Sequence, residues 1–274
     1  MTIRYAEISD ADVRRMGYVD FVAFLGETNR PPGGKNAVRI LLQNAFVTKD
    51  SKVLDVGCNT GYCSFEMAHL ANCHVTGIDI NPRMIETANT FRARETPFYQ
   101  ERLVFETVDG MRMPYADNSF DLVMSGGSTA FIAQKTAALQ EYKRVCRDWG
   151  FVGDINFFYH TLPPARLIQE LNDMMSTDIQ PWGLSYWTEL YAAVGLEQFY
   201  IHEGMMREVS DAELDAYCRY MAARRQFSAE VERAVFEKWR QIMVLFNENH
   251  RYLAYGVFVY RKRPYEEERT LFGL

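Results

Sequence analysis

No stretch of this sequence is apolar for long enough to cross a bilayer. Its first residues, Met1-Thr-Ile-Arg-Tyr-Ala-Glu-Ile8, lack the cationic-then-apolar pattern of a secretory leader. A cytoplasmic protein without a membrane partner is therefore expected. The cysteines, Cys58, Cys63, Cys73, Cys146 and Cys218, are odd in number and form no CxxC pair, which argues for reduced thiols rather than a disulfide framework. His69, Cys73 and His74 have no second, spaced pair of ligands near them, so no metal centre is expected. A basic surplus is also missing. Lys and Arg total 30 against 36 Asp and Glu, a formal charge of −6. Proteins that grip phosphate backbones show the opposite balance or a basic stripe, so nucleic acid is not an expected partner. Internal repeats and low-complexity segments are absent.

What is present is an ordinary globular composition. The 274 residues are 48% hydrophobic, enough for one sizeable core with added elements. Aromatic residues, at 14%, are plentiful enough to fill that core and also to line a pocket for a flat or cationic ligand.

The pattern along the chain changes twice. Residues 9–26 read as one helix, with Ser9 as N-cap and Val13, Met16, Val19 and Val22 at helical spacing. Thr28-Asn-Arg-Pro-Pro-Gly-Gly-Lys35 reads as a loop, followed by a helix over about Asn36–Ala45. From Lys52 strands and helices alternate. Strands are expected at Val53–Val56, Cys73–Asp79, Leu103–Val108, Phe120–Met124 and Phe151–Asn156, the last after a turn at Asp148-Trp149-Gly150. Helices are expected at Tyr62–Ala71, at 82–94 behind the cap Asn81, and at about Ala133–Cys146. Such alternation predicts a parallel sheet covered on both faces. Helices at Ala165–Met175 and Tyr186–Val194, a strand at Leu196–His202, helices near 210–225 and 228–247, and a strand at Arg251–Tyr260 complete the pattern. A charged tail follows. The expected organisation is an N-terminal helical cap over 1–48 and an α/β domain over 49–274, with a helical insertion at about 207–249.

The stretch Val53-Leu-Asp-Val-Gly-Cys-Asn-Thr-Gly-Tyr-Cys-Ser64 runs from an apolar strand through a glycine turn into a helix. Gly57 and Gly61 let the backbone approach a ligand closely, and the helix start aims N–H groups at it. Asp79 follows twenty-two residues after Gly57, at the end of the second strand, where an acid holds ribose hydroxyls. A dinucleotide loop needs G-x-G-x-x-G, and here Asn59 and Tyr62 stand at the second and third glycines of that pattern. The better match is D-x-G-x-G-x-G. Asp55-Val-Gly57-Cys-Asn59-Thr-Gly61 resembles this loop of the class I S-adenosylmethionine (SAM)-dependent methyltransferases, with Asn59 at the middle glycine. Asn tolerates a left-handed backbone best after Gly.

The resemblance continues in order. Gly77-Ile-Asp79-Ile-Asn-Pro82 is similar to the family's second motif, and Thr107-Val-Asp109-Gly-Met111 to its third. Met113-Pro-Tyr-Ala-Asp-Asn-Ser-Phe-Asp121-Leu-Val123 resembles its run into strand four, and Asp148-Trp-Gly150 its turn into strand five. It covers about residues 50–156. It implies a Rossmann-like, mostly parallel seven-stranded sheet with helices on both faces and an antiparallel last strand. It implies SAM as cofactor, with S-adenosylhomocysteine as product of methyl transfer. By resemblance the Gly57–Gly61 backbone, with Cys58 and Asn59, contacts the methionine part and Asp55 its ammonium. Asp79 holds the ribose, beside Ile80. Asp109 and Gly110 meet the adenine, and Ser125 lines the pocket. Arg30 is a candidate partner for a carboxylate of SAM or of the acceptor.

Methyl transfer from a sulfonium needs in-line positioning, exclusion of water and a place for a proton. Candidates on the acceptor side follow strand five: His160 as a base, with Tyr159 and Asn156 to orient the acceptor. The Pro181–Trp187 stretch offers aromatic groups, and His250 a further candidate. A small-molecule acceptor carrying an N, O or C nucleophile, from natural-product or amino-acid-derived metabolism, is the leading expectation. Intramolecular displacement on SAM itself and methylation of RNA or protein are the alternatives. The oligomeric state stays open, with a homodimer as one option.

Overall fold

The computed structural model describes residues 8–26 and 30–265. The first seven residues, the beginning of the Thr28–Lys35 loop and most of the charged tail fall outside the described residues.

Short helices α1 (Asp10–Arg15) and α2 (Tyr18–Leu25) come first, then α3 (Gly34–Asn44), β1 (Lys52–Val56), α4 (Tyr62–Ala71), β2 (His74–Asp79), α5 (Pro82–Arg92), α6 (Pro97–Gln100), β3 (Leu103–Thr107) and β4 (Phe120–Ser125). A 3₁₀ turn (Ser128–Phe131) leads to α7 (Lys135–Val145), β5 (Cys146–Tyr159), α8 (Ala165–Met175), α9 (Leu184–Ala193), β6 (Glu197–Met205), α10 (Asp211–Ala223), α11 (Ala229–His250) and β7 (Leu253–Arg261). The seven strands form one sheet in the order β3-β2-β1-β4-β5-β7-β6. β1 pairs in parallel with β2 and β4, β2 with β3, and β4 with β5. Against β5, β7 runs antiparallel: Trp149 N–H donates to Lys262 O, and Lys262 N–H to Gly150 O. This is the Rossmann-like α/β sheet that the family resemblance implied, and its parallel part is what the alternating pattern predicted.

The chain separates into two compact units. Among the described residues, one comprises 30–157, 184–204 and 255–265; the other comprises 8–26, 158–183 and 205–254. This division differs from a cap over 1–48 followed by one domain, because α3 falls in the sheet unit and α8 in the helical one. In the sheet unit, the apolar faces of α3 (Val38, Leu41) and α4 (Met67, Ala68) bury against Val53, Leu122 and Ile155. The central parallel strands β1 and β4 are buried on both faces, as a sheet covered by helices demands. In the helical unit, Phe21 and Phe24 pack with Met221, Val235 and Trp239.

Two local expectations are corrected. Residues 9–26 are two helices. The chain is extended at Met16, Gly17 starts α2, and Lys238 Nζ donates to Arg14 O at 2.8 Å and Met16 O at 2.6 Å, satisfying carbonyls left open by the break. The Asp148-Trp149-Gly150 turn lies inside β5. Phe120 pairs with Cys146 and Leu122 with Phe151, so residues 147–150 bulge from the strand, with Trp149 left-handed at φ 61°. The bulge lets β5 start earlier than expected, and the strand also runs on past Asn156 to Tyr159.

Candidate functional site

The carboxyl end of the sheet unit is built around the turn after β1. Gly57 has φ 71°, Asn59 φ 52° and Gly61 φ 94°, so three of five residues occupy the left-handed region. Gly57 and Cys58 N–H both donate to Ile78 O, at 2.8 and 2.9 Å, and Gly61 N–H donates to Cys58 O at 2.8 Å. Asn59 fills the middle position because its side chain closes the turn locally, its Oδ1 accepting from Thr60 N at 2.7 Å. Gly57 also faces the 3₁₀ turn: a Cβ there would stand 2.3 Å from Ser128 Cβ and Oγ. Ser128 in turn donates to Val56 O at 2.6 Å and bonds Ser125 Oγ at 2.9 Å, tying the β4 loop to the β1 loop. This 3₁₀ turn was not foreseen from sequence; the Ser-Gly-Gly-Ser-Thr run at 125–129 was its only signal.

Asp79, at the end of β2, accepts from Asn59 N at 2.9 Å and from Asn81 N at 2.8 Å. Two backbone donors thus orient its carboxylate and join both loops, leaving lone pairs for a ligand's hydroxyls. Ile80, next in chain, leaves an apolar side chain 70% exposed. Asp109 is half-buried after β3, caps its own turn by accepting from Met111 N at 2.9 Å, and precedes Gly110, where a Cβ would meet Val56 Cγ1 at 2.7 Å.

Asp55 lies in β1 and is buried. Its Oδ2 accepts from Ser64 Oγ at 2.6 Å, while its Oδ1 has no partner. Burial pushes its carboxyl up to about 7, the Ser64 bond pulls the other way, and the Asp79 charge adds to the rise. Burial, with the neighbouring Asp55 and Asp79, likewise pushes the Cys58 thiol far up, so Cys58 is inert packing rather than a nucleophile. Arg30 holds its guanidinium 5.7 Å from the Tyr62 ring centroid, just past Gly61.

A second buried acid, Asp154, lies in β5 beside Ser125 of β4. It accepts from Tyr191 OH at 2.6 Å and from Asn156 Nδ2 at 3.2 Å, and sequence reasoning missed it because nothing marks it apart from other strand residues. Asn156 itself is 2% exposed. Tyr159 and His160 belong to the helical unit. Burial raises the Tyr159 phenol, which sits beside Asn249. His160 is exposed; its Nε2 donates to Arg251 O at 3.2 Å and its Nδ1 takes the Thr161 hydroxyl at 2.9 Å. His250, also in the helical unit, is held below the usual histidine range by burial. The sheet unit therefore brings together Asp55, Gly57, Cys58, Asn59, Gly61, Asp79, Gly110 and Ser125, with Asn156 on the neighbouring strand.

Asp55, Asp79 and Asp154 form no ion pair with any described residue. An acid without a cationic partner suits a ligand with cationic groups. Gly57 allows the left-handed turn to close against Ser128, and Asp55 Oδ1 has no donor among the described residues. These features fit an adenosyl ligand that carries an ammonium and a sulfonium.

Comparison with known proteins places these features in context. A family model described as a methyltransferase domain matches residues 47–200. An uncharacterized protein of Haemophilus influenzae is 25% identical over 193 residues, which cover 70% of this chain and 76% of that protein. The 27-O-demethylrifamycin SV methyltransferase of Amycolatopsis mediterranei is 35% identical over 99 residues, 36% of each chain. Among solved structures, that of MccD protein superposes with a TM-score of 0.77 at 25% identity, covering 86% of this chain and 100% of that one.

Proposed function

This chain belongs to the methyltransferase-domain family, and from that premise we propose that it moves the methyl group of SAM to a nitrogen, oxygen or carbon nucleophile of a small molecule. It is a SAM-dependent methyltransferase, and SAM is its cofactor. The observation that carries the site assignment is the junction of the Gly57 turn, the orphaned Asp55 Oδ1 and the doubly held Asp79 carboxylate at one end of the sheet. The Gly57–Gly61 backbone, with Cys58 and Asn59, receives the methionine part, and Asp55 its ammonium. Asp79 takes the ribose hydroxyls, Ile80 and Gly110 flank the adenine, and Asp109 accepts from its amine. Ser125 lines the pocket, and Arg30 meets a carboxylate.

Bound SAM supplies a methyl group already activated by the sulfonium. The chain's task is then to orient, to exclude water and to hold a proton. Asn156, Tyr159 and His160 are assigned to the acceptor side. For His160 the Arg251 carbonyl favours the proton on Nε2, so a base role runs through Nδ1 once the Thr161 hydroxyl that it holds has turned away. A small acceptor is supported by the net charge of −6 and by the rifamycin-type acceptor that one relative's name states.

The test is incubation with methyl-labelled SAM and cell extract, fractionated by size. Label in low-molecular-weight compounds is expected, together with S-adenosylhomocysteine. Label in RNA or protein overturns the small-molecule class. An adenosyl product other than S-adenosylhomocysteine, formed from SAM alone, overturns methyl transfer in favour of displacement on SAM's own carbon chain.

A further inference from the structure

Asp154 and Asn156 are two residues apart on β5, so both side chains lie on one face of the sheet. Asn156 Nδ2 donates to Asp154 Oδ2. An amide has one donor end and one acceptor end, so this bond decides which way the other faces. The Asn156 Oδ1 is turned toward Gly127, 3.9 Å from where a Cβ of that residue would stand. Gly127, with φ 104°, carries no side chain to cover it. No donor among the described residues meets this oxygen, although Asn156 is almost wholly buried.

The surroundings hold the amide in this sense. Asp154 Oδ2 also accepts the Tyr191 hydroxyl at 2.6 Å, and Tyr191 is fixed by stacking on Tyr260 with ring centroids 4.4 Å apart. Thr129, in the 3₁₀ turn, approaches the Asp154 carboxyl with its hydroxyl. A flipped amide would set Oδ1 against a carboxylate oxygen. Gly127 is followed by Ser128, which abuts Gly57. The open carbonyl therefore borders the loop assigned to the cofactor's methionine part.

We propose that Asn156 is the residue that reads the cofactor's sulfonium charge, and that Asp154 and Tyr191 are its positioning residues. The carbonyl oxygen is the negative end of a locked dipole. It favours the cationic sulfur of SAM over the neutral thioether of S-adenosylhomocysteine, which helps substrate in and product out. The inference rests on the cofactor assignment above.

The test is titration calorimetry of the full chain with SAM and, separately, with S-adenosylhomocysteine, under conditions where thermal melting shows each variant folded. Asn156→Leu, similar in shape but without a carbonyl, is expected to weaken SAM about tenfold, the loss of one hydrogen bond to a charged group. Its affinity for S-adenosylhomocysteine stays within about twofold, well under the same single-interaction scale. Tyr191→Phe keeps the ring stacking and removes one donor from Asp154, so it gives a smaller loss confined to SAM. It also serves as the variant to read if Asn156→Leu does not fold. Equal losses for both ligands would mean a merely structural role, and no loss for either would place the carbonyl away from the sulfur; each overturns the proposal. Wild-type protein that binds neither ligand overturns the cofactor assignment itself, and this inference with it.

Discussion

At the scale of single residues, the buried carboxylates decide the pH behaviour. Asp55 rises to about 7 and Asp154 to about 6 from an ordinary aspartate value of 3.8, chiefly through burial. The folded state therefore binds these protons more tightly than the unfolded chain. Their contribution to stability is fully present below the ordinary value and is lost as pH rises through 6 and then 7. Acids with a lowered pKa, such as Glu141 beside Arg144, act below their own ordinary value and outside this window. Urea denaturation of the ligand-free protein is expected to show greater stability at pH 5 than at pH 8, with a smaller difference in Asp55→Asn. Ligand binding runs the other way. In its proposed role Asp55 must be ionised to meet an ammonium, so SAM affinity measured by calorimetry is expected to fall as pH drops through about 7. Asp79 is already organised by two backbone donors. Asp79→Ala is expected to weaken SAM by about 1–3 kcal/mol, and an unchanged affinity removes Asp79 from the site.

At the scale of elements, the strand-turn-helix unit from β1 to α4 carries the proposed cofactor site. Gly57 tolerates no Cβ because φ is positive and Ser128 stands in the way. Gly57→Val is expected to abolish SAM binding in calorimetry, and normal binding would place the cofactor loop elsewhere. The break between α1 and α2 behaves differently. At Gly17, φ is −66° and a Cβ would meet nothing within 4 Å. Gly17→Ala therefore relieves chain entropy without strain and is expected to stabilise the protein by about 0.4–1 kcal/mol in thermal melts. A continuous helix over 9–26 was the natural reading, since Val13, Met16, Val19 and Val22 keep helical spacing. What the spacing could not disclose is Lys238, more than two hundred positions away, whose ammonium satisfies the carbonyls at the break. The β5 bulge has the same origin. Asp148-Trp149-Gly150 carries turn residues, but pairing with β4 and β7 on either side keeps the segment within the sheet.

At the scale of the whole molecule, one mixed sheet anchors the loops proposed to hold the cofactor, and a separate helical unit is assembled from three stretches of chain. No helix among the described residues is long and apolar enough to cross a membrane. A ligand that binds only the folded chain stabilises it by mass action. SAM at a hundredfold excess over its dissociation constant is expected to add about 2.7 kcal/mol to unfolding, read as a raised melting temperature. An unchanged melting temperature in saturating SAM would contradict cofactor binding by the folded chain.

The sequence by itself determined the sheet and the glycine turn after β1, to which the cofactor is assigned by proposal. Strand periodicity, the glycines at 57 and 61 and the acid at 79 are local requirements: a left-handed turn, a close backbone approach, a strand end. Each is written into a few consecutive residues and needs no partner to be read. Only the tertiary structure decided that Asp55 and Asp154 are buried without cations, that Ser128 closes on Gly57, and that Asp154 locks the amide of Asn156. Those facts depend on which strands become neighbours and what lies above them. Burial and hydrogen bonding between residues far apart in the chain leave no local pattern, yet they set charge and orientation at the site.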